Sequence, residues 1–364
     1  MTLQTNRPLY RAQLLRMWLE QPAHRSPRWR FSLEDVETGA RIGFADLDAL
    51  ICHLLDLMEV TPDQSSDLPA ELLQRRAAMS TNGTNNGYAC PEMLVETQWV
   101  ADNLGRPGIC LVEVDVDTTA YEQGHIPGAV GWNWRTDTQD QTCRDIISRE
   151  AFEALMERSG ISNDTTVILY GDNNNWFAAY ALWMMKYYGH EDVRLMNGGR
   201  AKWLAEGREL ATEAPNVTPG RYTVSKVHTE LRALRPFVEE SIGHAGRAMV
   251  DVRSPDEFAG KLLAPANLPQ EGAQRGGHIP GAANIPWATA VGPDGCFKSR
   301  EELEEIYGKL GITRDKQVIT YCRIGERSSH TWFALKYLLG YEDVRNYDGS
   351  WTEWGSAVGV PIER

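Results

Sequence analysis

The chain has 364 residues, a formal net charge of −13, 42% apolar residues and 24% charged residues. This length exceeds what one ordinary core requires and predicts two or three domains. The acidic charge disfavours a nucleic-acid partner, which requires a basic surface. No apolar run is long enough to span a bilayer, and Met1–Tyr10 lacks a signal-peptide pattern, so a cytoplasmic protein without a membrane partner is expected.

The first 60 residues are predicted to form a small α+β module. Tyr10–Leu19 and Arg28–Val36 have the composition of two strands, and Gly43–Met58 has the apolar spacing of an amphipathic helix. Residues 61–88 are rich in Asn, Gly, Ser, Thr and Pro and are predicted to be a linker, with a helical fragment near Leu68–Met79. No residue of the module suggests chemistry, and its role is left open, with recruitment of a partner as one hypothesis.

The rest of the chain contains a repeat. Gly-His-Ile-Pro-Gly-Ala occurs at 124–129 and again at 277–282, and Gly-x-Glu-Asp-Val-Arg follows later in both halves. Because the matching segments come in the same order, they predict two homologous domains, about 89–215 and 220–364. The second copy has an insertion, Lys261–Gly276, whose composition is typical of a surface loop.

Each half alternates short apolar segments with amphipathic ones. Val167–Tyr170 and Val318–Tyr321 are predicted strands, whereas Trp176–Tyr188 and Ser328–Leu339 are predicted helices, each followed by a glycine. This alternation predicts an α/β fold in which each repeat is a parallel sheet flanked by helices.

One of the six cysteines lies in a context suited to chemistry. None belongs to a CxxC pair or to a Cys/His cluster with zinc-ligand spacing, so we expect neither a metal site nor a disulfide framework. Cys110, in an apolar strand, and Cys52, in an apolar helical pattern, are predicted to have packing roles. Cys322 instead follows an apolar strand and precedes a helix that begins near Ser328.

The loop after Cys322 is predicted to bind an anion. Backbone N–H groups between a strand and a helix N-terminus can turn inward and form an anion-binding cradle. These amides and two arginines are expected to lower the pKa of Cys322 and to hold a small dianion. In the first repeat Gly171 stands at the corresponding position, so that repeat has no nucleophile there and a structural role is expected. The predicted binding loop consists of Arg323, Ile324, Gly325, Glu326 and Arg327.

Together these features resemble the two-domain rhodanese family, the thiosulfate sulfurtransferases, over residues 89–364. The likeness rests on both Gly-His-Ile-Pro-Gly-Ala copies, on Asp251–Arg253, on the Cys322 loop and on Asp348–Trp354. In this family the first repeat is inactive and the second is active, which agrees with the contrast between Gly171 and Cys322. The resemblance implies a ping-pong cycle in which Cys322 takes the outer sulfur of thiosulfate and passes it to cyanide or to a small-molecule or protein thiol. It implies no metal and no organic cofactor.

The resemblance also implies a sulfur donor. In this family Cys-Arg-x-Gly-x-Arg loops accompany thiosulfate, and loops with small neutral residues accompany 3-mercaptopyruvate, so Arg323 and Arg327 favour thiosulfate. The family also uses an arginine near the Gly-Gly-x-x-x-Trp stretch of the first repeat; here Arg200, one position from the expected place, is the candidate for substrate binding. His125 and His278 are expected to make structural hydrogen bonds.

Three alternative functions are open. A 3-mercaptopyruvate sulfurtransferase would use the same cysteine. A non-enzymatic sulfur-relay or scaffold protein would also carry sulfur there but would serve one protein acceptor. A cysteine phosphatase or arsenate reductase uses a Cys-x5-Arg cradle, whereas Arg327 comes one position early, which favours attack on sulfur.

Asp251 and Arg253 are predicted to form an ion pair that holds a turn.

Overall fold

The computed structural model describes residues 13–20, 28–35, 41–44, 86–264 and 272–364. The chain divides into two compact units, Met1–Ser80 and Thr81–Arg364. In these described ranges, no helix is both long and apolar enough to cross a membrane.

The described part of the first unit is a three-stranded antiparallel sheet. Its strands are β1 (Gln13–Glu20), β2 (Arg28–Asp35) and β3 (Arg41–Phe44), in that order. The two predicted strands are therefore confirmed, and β3 was not predicted. The predicted helix Gly43–Met58 is wrong at its start, because Gly43 and Phe44 belong to β3, and its remaining residues lie outside the described part. The predicted fragment Leu68–Met79 also lies outside it.

The second unit begins with a five-stranded parallel sheet flanked by helices, which is the first repeat. The strands lie in the order β4-β8-β7-β5-β6. They are β4 (Leu94–Val95), β5 (Ile109–Asp115), β6 (Val130–Asn133), β7 (Thr166–Tyr170) and β8 (Val193–Met196). The helices are α1 (Thr97–Asp102), α2 (Thr119–Gln123), α3 (Trp134–Asp137), α4 (Arg149–Arg158), α5 (Asp172–Tyr187) and α6 (Gly199–Ala205).

The second repeat has the same plan with four parallel strands in the order β10-β9-β11-β12. The strands are β9 (Arg247–Asp251), β10 (Ala283–Asn284), β11 (Gln317–Tyr321) and β12 (Val344–Asn346). The helices are α7 (Arg235–Ser241), α8 (Pro255–Phe258), α9 (Arg300–Gly308), α10 (Glu326–Phe333) and α11 (Ser350–Trp354). A π-helical turn, Ala334–Leu338, extends α10.

The central strands confirm the predicted α/β fold. Val167–Tyr170 and Val318–Tyr321 are almost fully buried, as expected for parallel strands covered on both faces. The regular part of α5 coincides with the predicted helix that begins at Trp176, while α10 begins two residues before the predicted Ser328. Helices α5 and α10 pack against each other, so the loop that begins each of them lies at the contact between the repeats.

The domain boundaries 1–60, 61–88, 89–215 and 220–364 stay predictions. Within the predicted linker, Tyr88 is described, and its hydroxyl donates to the carbonyl oxygens of Phe297 and Lys298 in the second repeat. Residues 265–271 of the predicted loop Lys261–Gly276 lie outside the described part, and the described residues on either side of them form no helix or strand.

Candidate active site

Cys322 lies at the carboxyl end of β11, where the main chain turns toward α10. Its side chain is fully buried. The Cys322 N–H donates to Ser350 Oγ over 3.1 Å, and its carbonyl oxygen accepts from the Trp351 N–H over 3.1 Å. Two consecutive residues of the Asp348–Trp354 motif therefore hold the backbone of the cysteine on both sides.

The loop places a backbone donor against the sulfur. The Gly325 N–H donates to Cys322 Sγ over 3.1 Å. Gly325 adopts φ +103, in the left-handed region, and a Cβ there would lie 3.0 Å from the Cα of Asp348 and 3.1 Å from a ring carbon of Tyr180. Glycine is thus required at this position both by conformation and by space, and its N–H is free to reach the sulfur.

Ser350 holds the cysteine from a strained conformation. Its φ is +52, which is uncommon for a residue with a side chain. The corresponding residue of the first repeat, Gly199, has φ +56 without that cost. There the side chain of Asn175 accepts the Gly171 N–H instead, over 3.0 Å. In the second repeat the hydroxyl of Ser350 makes this bond, and Glu326, the residue equivalent to Asn175, is directed at the sulfur.

The environment of Cys322 raises the pKa of its thiol, so the predicted lowering is wrong. Burial has the largest effect, and the charge of Glu326, whose Oε2 lies 3.2 Å from Sγ, raises the pKa further. Arg327 and the N–H groups of Ser328 and Gly325 lower it by less. The resting cysteine is therefore a thiol that donates its hydrogen bond to Glu326. Only the contributions that favour the thiolate, the loop amides and the arginines, are visible in the sequence, since burial depends on the fold.

Arg327 is not a free cation for a dianion. Its guanidinium donates to both carboxylate oxygens of Glu257, over 3.0 and 3.1 Å, and its Nε lies 3.6 Å from Glu326. The guanidinium also lies 5.8 Å from the ring centroid of Trp176 in the first repeat. Two carboxylates therefore share its charge, which reduces the attraction for a dianion expected from the sequence.

Arg323 and Ile324, the other two side chains of the loop, have different surroundings. Arg323 is 1% exposed, and its carbonyl oxygen accepts from the backbone N–H and the hydroxyl of Thr352 over 3.0 and 2.9 Å. Ile324 is also buried, but it lines a cleft of about 520 Å³ formed with residues of the first repeat. The loop thus reaches the space between the repeats at Ile324.

The contacts of Arg200 do not support its predicted place in the substrate site. Its guanidinium donates to Glu113 over 2.6 Å and to the carbonyl oxygens of Ala120 and Gly124. All of these groups belong to the first repeat, and Gly124 begins the Gly-His-Ile-Pro-Gly-Ala turn. Arg200 therefore stabilises that turn in the way that Arg253, paired with Asp251 over 2.6 Å and donating to Gly277 O, stabilises the second.

The remaining structural predictions agree with the contacts. His125 is within 3.0 Å of the Tyr121 carbonyl oxygen, and His278 is 3.0 Å from that of Phe258. Burial raises the pKa of Cys110 to about 12, which fits an unreactive strand cysteine. Cys52 lies outside the described residues.

The first repeat cannot form the same cradle. After Gly171, residues Asn173, Asn174 and Asn175 all adopt left-handed conformations, with φ between 52 and 64. Asn tolerates this region better than most residues. A Cβ on Gly171 would lie 2.3 Å from the carbonyl oxygen of Val114, so a cysteine does not fit there. The structure thus gives a steric reason for the single nucleophile.

Four residues near Cys322 were not predicted: Glu257, Ser350, Trp176 and Tyr180. A signal for Glu257 is present, because Ser254 and Glu257 form the Ser-x-x-Glu pattern of a capping box, which the structure contains. The repeat alignment also pairs Ser350 with Gly199. For Trp176 and Tyr180 the sequence shows only helical periodicity, since their proximity to the loop depends on the packing of α5 on α10.

Replacing Glu326 tests the cause of the raised pKa. Glu326→Gln removes a negative charge beside Sγ, so the pKa of Cys322 is expected to fall and alkylation at neutral pH to become about tenfold faster. The measurement is the pH dependence of iodoacetamide labelling of the Cys322 peptide, followed by mass spectrometry. Glu302→Gln, on the exposed start of α9, is the matched control and should not move the midpoint. An unchanged or higher midpoint in Glu326→Gln would contradict the assignment.

The fold and the site define a tandem α/β protein whose second repeat holds a strand-end cysteine by backbone donors and side-chain acceptors. Residues 96–206 and 237–357 match the rhodanese-like domain. The chain belongs to the rhodanese family of sulfurtransferases.

Several relatives are similar over both repeats. The sulfur carrier protein TtuD of Thermus thermophilus is 60% identical over 281 residues, 76% of this chain and 99% of the relative. A protein of Saccharopolyspora erythraea, provisionally named a thiosulfate sulfurtransferase, is 58% identical over 272 residues, 75% of this chain and 96% of the relative. The crystal structure of the 3-mercaptopyruvate sulfotransferase SseA from Escherichia coli has a TM-score of 0.62 and 26% identity, over 71% of this chain and 98% of that one.

Proposed function

We propose that this protein transfers a sulfane sulfur from thiosulfate to cyanide or a thiol through a persulfide on Cys322. The observation that carries this proposal is the position of Sγ, which accepts the Gly325 N–H over 3.1 Å and lies 3.2 Å from Glu326. The first contact stabilises negative charge on sulfur, and the second provides an acceptor for the thiol proton. The arrangement therefore suits a cysteine that alternates between thiol, thiolate and persulfide.

The first half-reaction loads the cysteine. The Cys322 thiol gives its proton to the Glu326 carboxylate, and the sulfur attacks the outer sulfur of thiosulfate. The sulfur–sulfur bond of thiosulfate breaks, and its electron pair leaves with sulfite. A new sulfur–sulfur bond forms on Cys322, whose terminal sulfur carries the negative charge. Glu326 thus accepts the thiol proton as the sulfur attacks, whereas at rest burial and the charge of Glu326 keep Cys322 in the thiol form.

The second half-reaction removes the terminal sulfur from Cys322. Cyanide or a thiolate attacks the terminal sulfur, the persulfide bond breaks, and its electron pair returns to Cys322. The sulfur of Cys322 then takes back the proton from Glu326. The acceptor leaves as thiocyanate or as a new persulfide, and the cycle is of the ping-pong type.

Donor choice distinguishes the main proposal from 3-mercaptopyruvate sulfurtransfer. Arg323→Ala is expected to lower kcat/KM for thiosulfate by about tenfold and that for 3-mercaptopyruvate by less, because a dianion loses more than a monoanion when a cation is removed. Arg323→Lys should keep most of the preference. Steady-state assays with both donors measure the ratio, and Arg221→Ala, at an exposed arginine between α6 and α7, is the control. Equal losses for both donors would show that Arg323 does not set the preference.

Sulfur relay is the second candidate. The 60% identical relative is named a sulfur carrier, and a carrier would load the same cysteine but serve a protein acceptor. The experiment that tests the shared step is incubation with thiosulfate. One sulfur atom should add to the intact protein, one equivalent of sulfite should appear, and peptide mapping should locate the sulfur on Cys322. A protein that loads normally but turns over cyanide and small thiols slowly would favour relay, whereas absence of loading would exclude both.

A further inference from the structure

The cleft beside the Cys322 loop has a wall formed by one segment of the first repeat. Residues 134–135 and 139–145 line it, together with Tyr180, Ile324 and Asp348, and it encloses about 520 Å³. This volume lies within the range of sites for small organic molecules and far exceeds the need of cyanide. Tyr180, in the wall, lies close to Gly325, and the N–H of Gly325 donates to Sγ, so Gly325 connects the wall to the sulfur.

The wall is rigidly built. Arg232 donates to Asp145 over 2.6 Å and to both carboxylate oxygens of Asp348 over 2.8 and 2.7 Å, which joins the two sides of the cleft. The Gln139 side chain donates to the Tyr180 hydroxyl over 2.9 Å. Asp145 and Asp348 thus have a cation of their own, and neither is available to recognise a ligand by charge alone.

Two residues of opposite charge on the same wall, Arg135 and Asp140, are not neutralised by an ion pair with a described residue. The Arg135 guanidinium forms no hydrogen bond or ion pair with any described residue. Asp140 Oδ1 accepts from the backbone N–H groups of Thr142 and Cys143 over 2.8 and 2.7 Å, while Oδ2 accepts from no described residue. These N–H groups lower the pKa of Asp140 and keep it ionised. Arg135 and Asp140 are not paired with each other, so each can bind an opposite charge.

We propose that this cleft binds the sulfur acceptor, and that the acceptor is a zwitterionic thiol of the amino-acid type. Its carboxylate would bind Arg135, its ammonium group would bind Asp140, and its thiol would face the loop at Ile324. This inference rests on the proposed function, since it assigns the second substrate of the same site. The transferred atom is the terminal sulfur of the Cys322 persulfide, which lies about 2 Å beyond Sγ.

Four thiol acceptors test the carboxylate and the ammonium group of the ligand independently. L-cysteine has both groups, 3-mercaptopropionate has only the carboxylate, cysteamine has only the ammonium group, and 2-mercaptoethanol has neither. Sulfite release at saturating thiosulfate gives KM for each. Arg135→Gln is expected to raise KM about fivefold for cysteine and 3-mercaptopropionate, relative to its effect on the other two. Asp140→Asn keeps Oδ1 as an acceptor for Thr142 and Cys143. It should raise KM about fivefold for cysteine and cysteamine, relative to its effect on the other two acceptors.

The control is Arg106→Gln, at an exposed arginine of the first repeat whose guanidinium bonds, among the described residues, to Asn103 alone, and it should change no KM. Equal changes for all four acceptors, or none, would overturn the inference while leaving the proposed function intact, provided that wild-type protein gains sulfur from thiosulfate. Failure of the wild type to gain sulfur would overturn both.

Discussion

Cys322→Ser is expected to abolish the gain of sulfur from thiosulfate. A serine hydroxyl has nearly the same shape and can still accept the Gly325 N–H, but its oxygen does not form a persulfide. The free energy of unfolding should change little for the same reason. Intact-mass spectrometry and sulfite release measure the gain, and urea unfolding shows whether the variant is folded.

Two other cysteines serve as matched controls for this variant. Cys143→Ser removes an exposed thiol, and Cys110→Ser removes a thiol of high pKa in β5. Both variants should gain one sulfur atom, as the wild type does. If Cys322→Ser gains sulfur, the persulfide forms elsewhere and the assignment of the site is wrong.

Glu257→Ala is expected to lower the free energy of unfolding by about 3–5 kcal/mol. The side chains of Glu257 and Arg327 are 0% and 4% exposed, so truncation leaves a buried guanidinium without its two-point partner. The capping box at the start of α8 is lost as well. Urea unfolding of wild type and variant measures the loss.

Another capping box, at the start of α9, isolates the contribution of the ion pair. Glu302 has the same position in α9, after Ser299, but it is exposed and forms no ion pair with a buried cation in the described part of the chain. Glu302→Ala should therefore cost much less than Glu257→Ala. Comparable losses would mean that the cap, and not the charge on Arg327, is what Glu257 supplies.

The same pair predicts a pH dependence of stability. Burial raises the pKa of Glu257, but the hydrogen bonds and charge of Arg327 outweigh it, so the pKa in the folded protein is lowered. A group with a lowered pKa stabilises the fold above its ordinary pKa, and this contribution is lost as the pH falls through the folded value. Glu257→Gln should remove that part of the acid sensitivity.

The sequence by itself determined the tandem repeat, the central strands, the start of the regular part of α5 and the cysteine at a strand end. These features depend on apolar periodicity and on motifs a few residues long, so they are visible without the fold. The contrast between Gly171 and Cys322 was equally visible, because alignment of the repeats compares positions directly.

The tertiary structure decided what surrounds the sulfur. Arg327 pairs with a residue 70 positions away, and Arg200 with one 87 positions away, so neither partner follows from local spacing. The pKa of Cys322 depends more on burial and on Glu326 than on the amides, and burial is a property of the packed fold. The cleft forms where α5 and α10 pack together. The sequence alone therefore does not show that Arg135 and Asp140 line a common site.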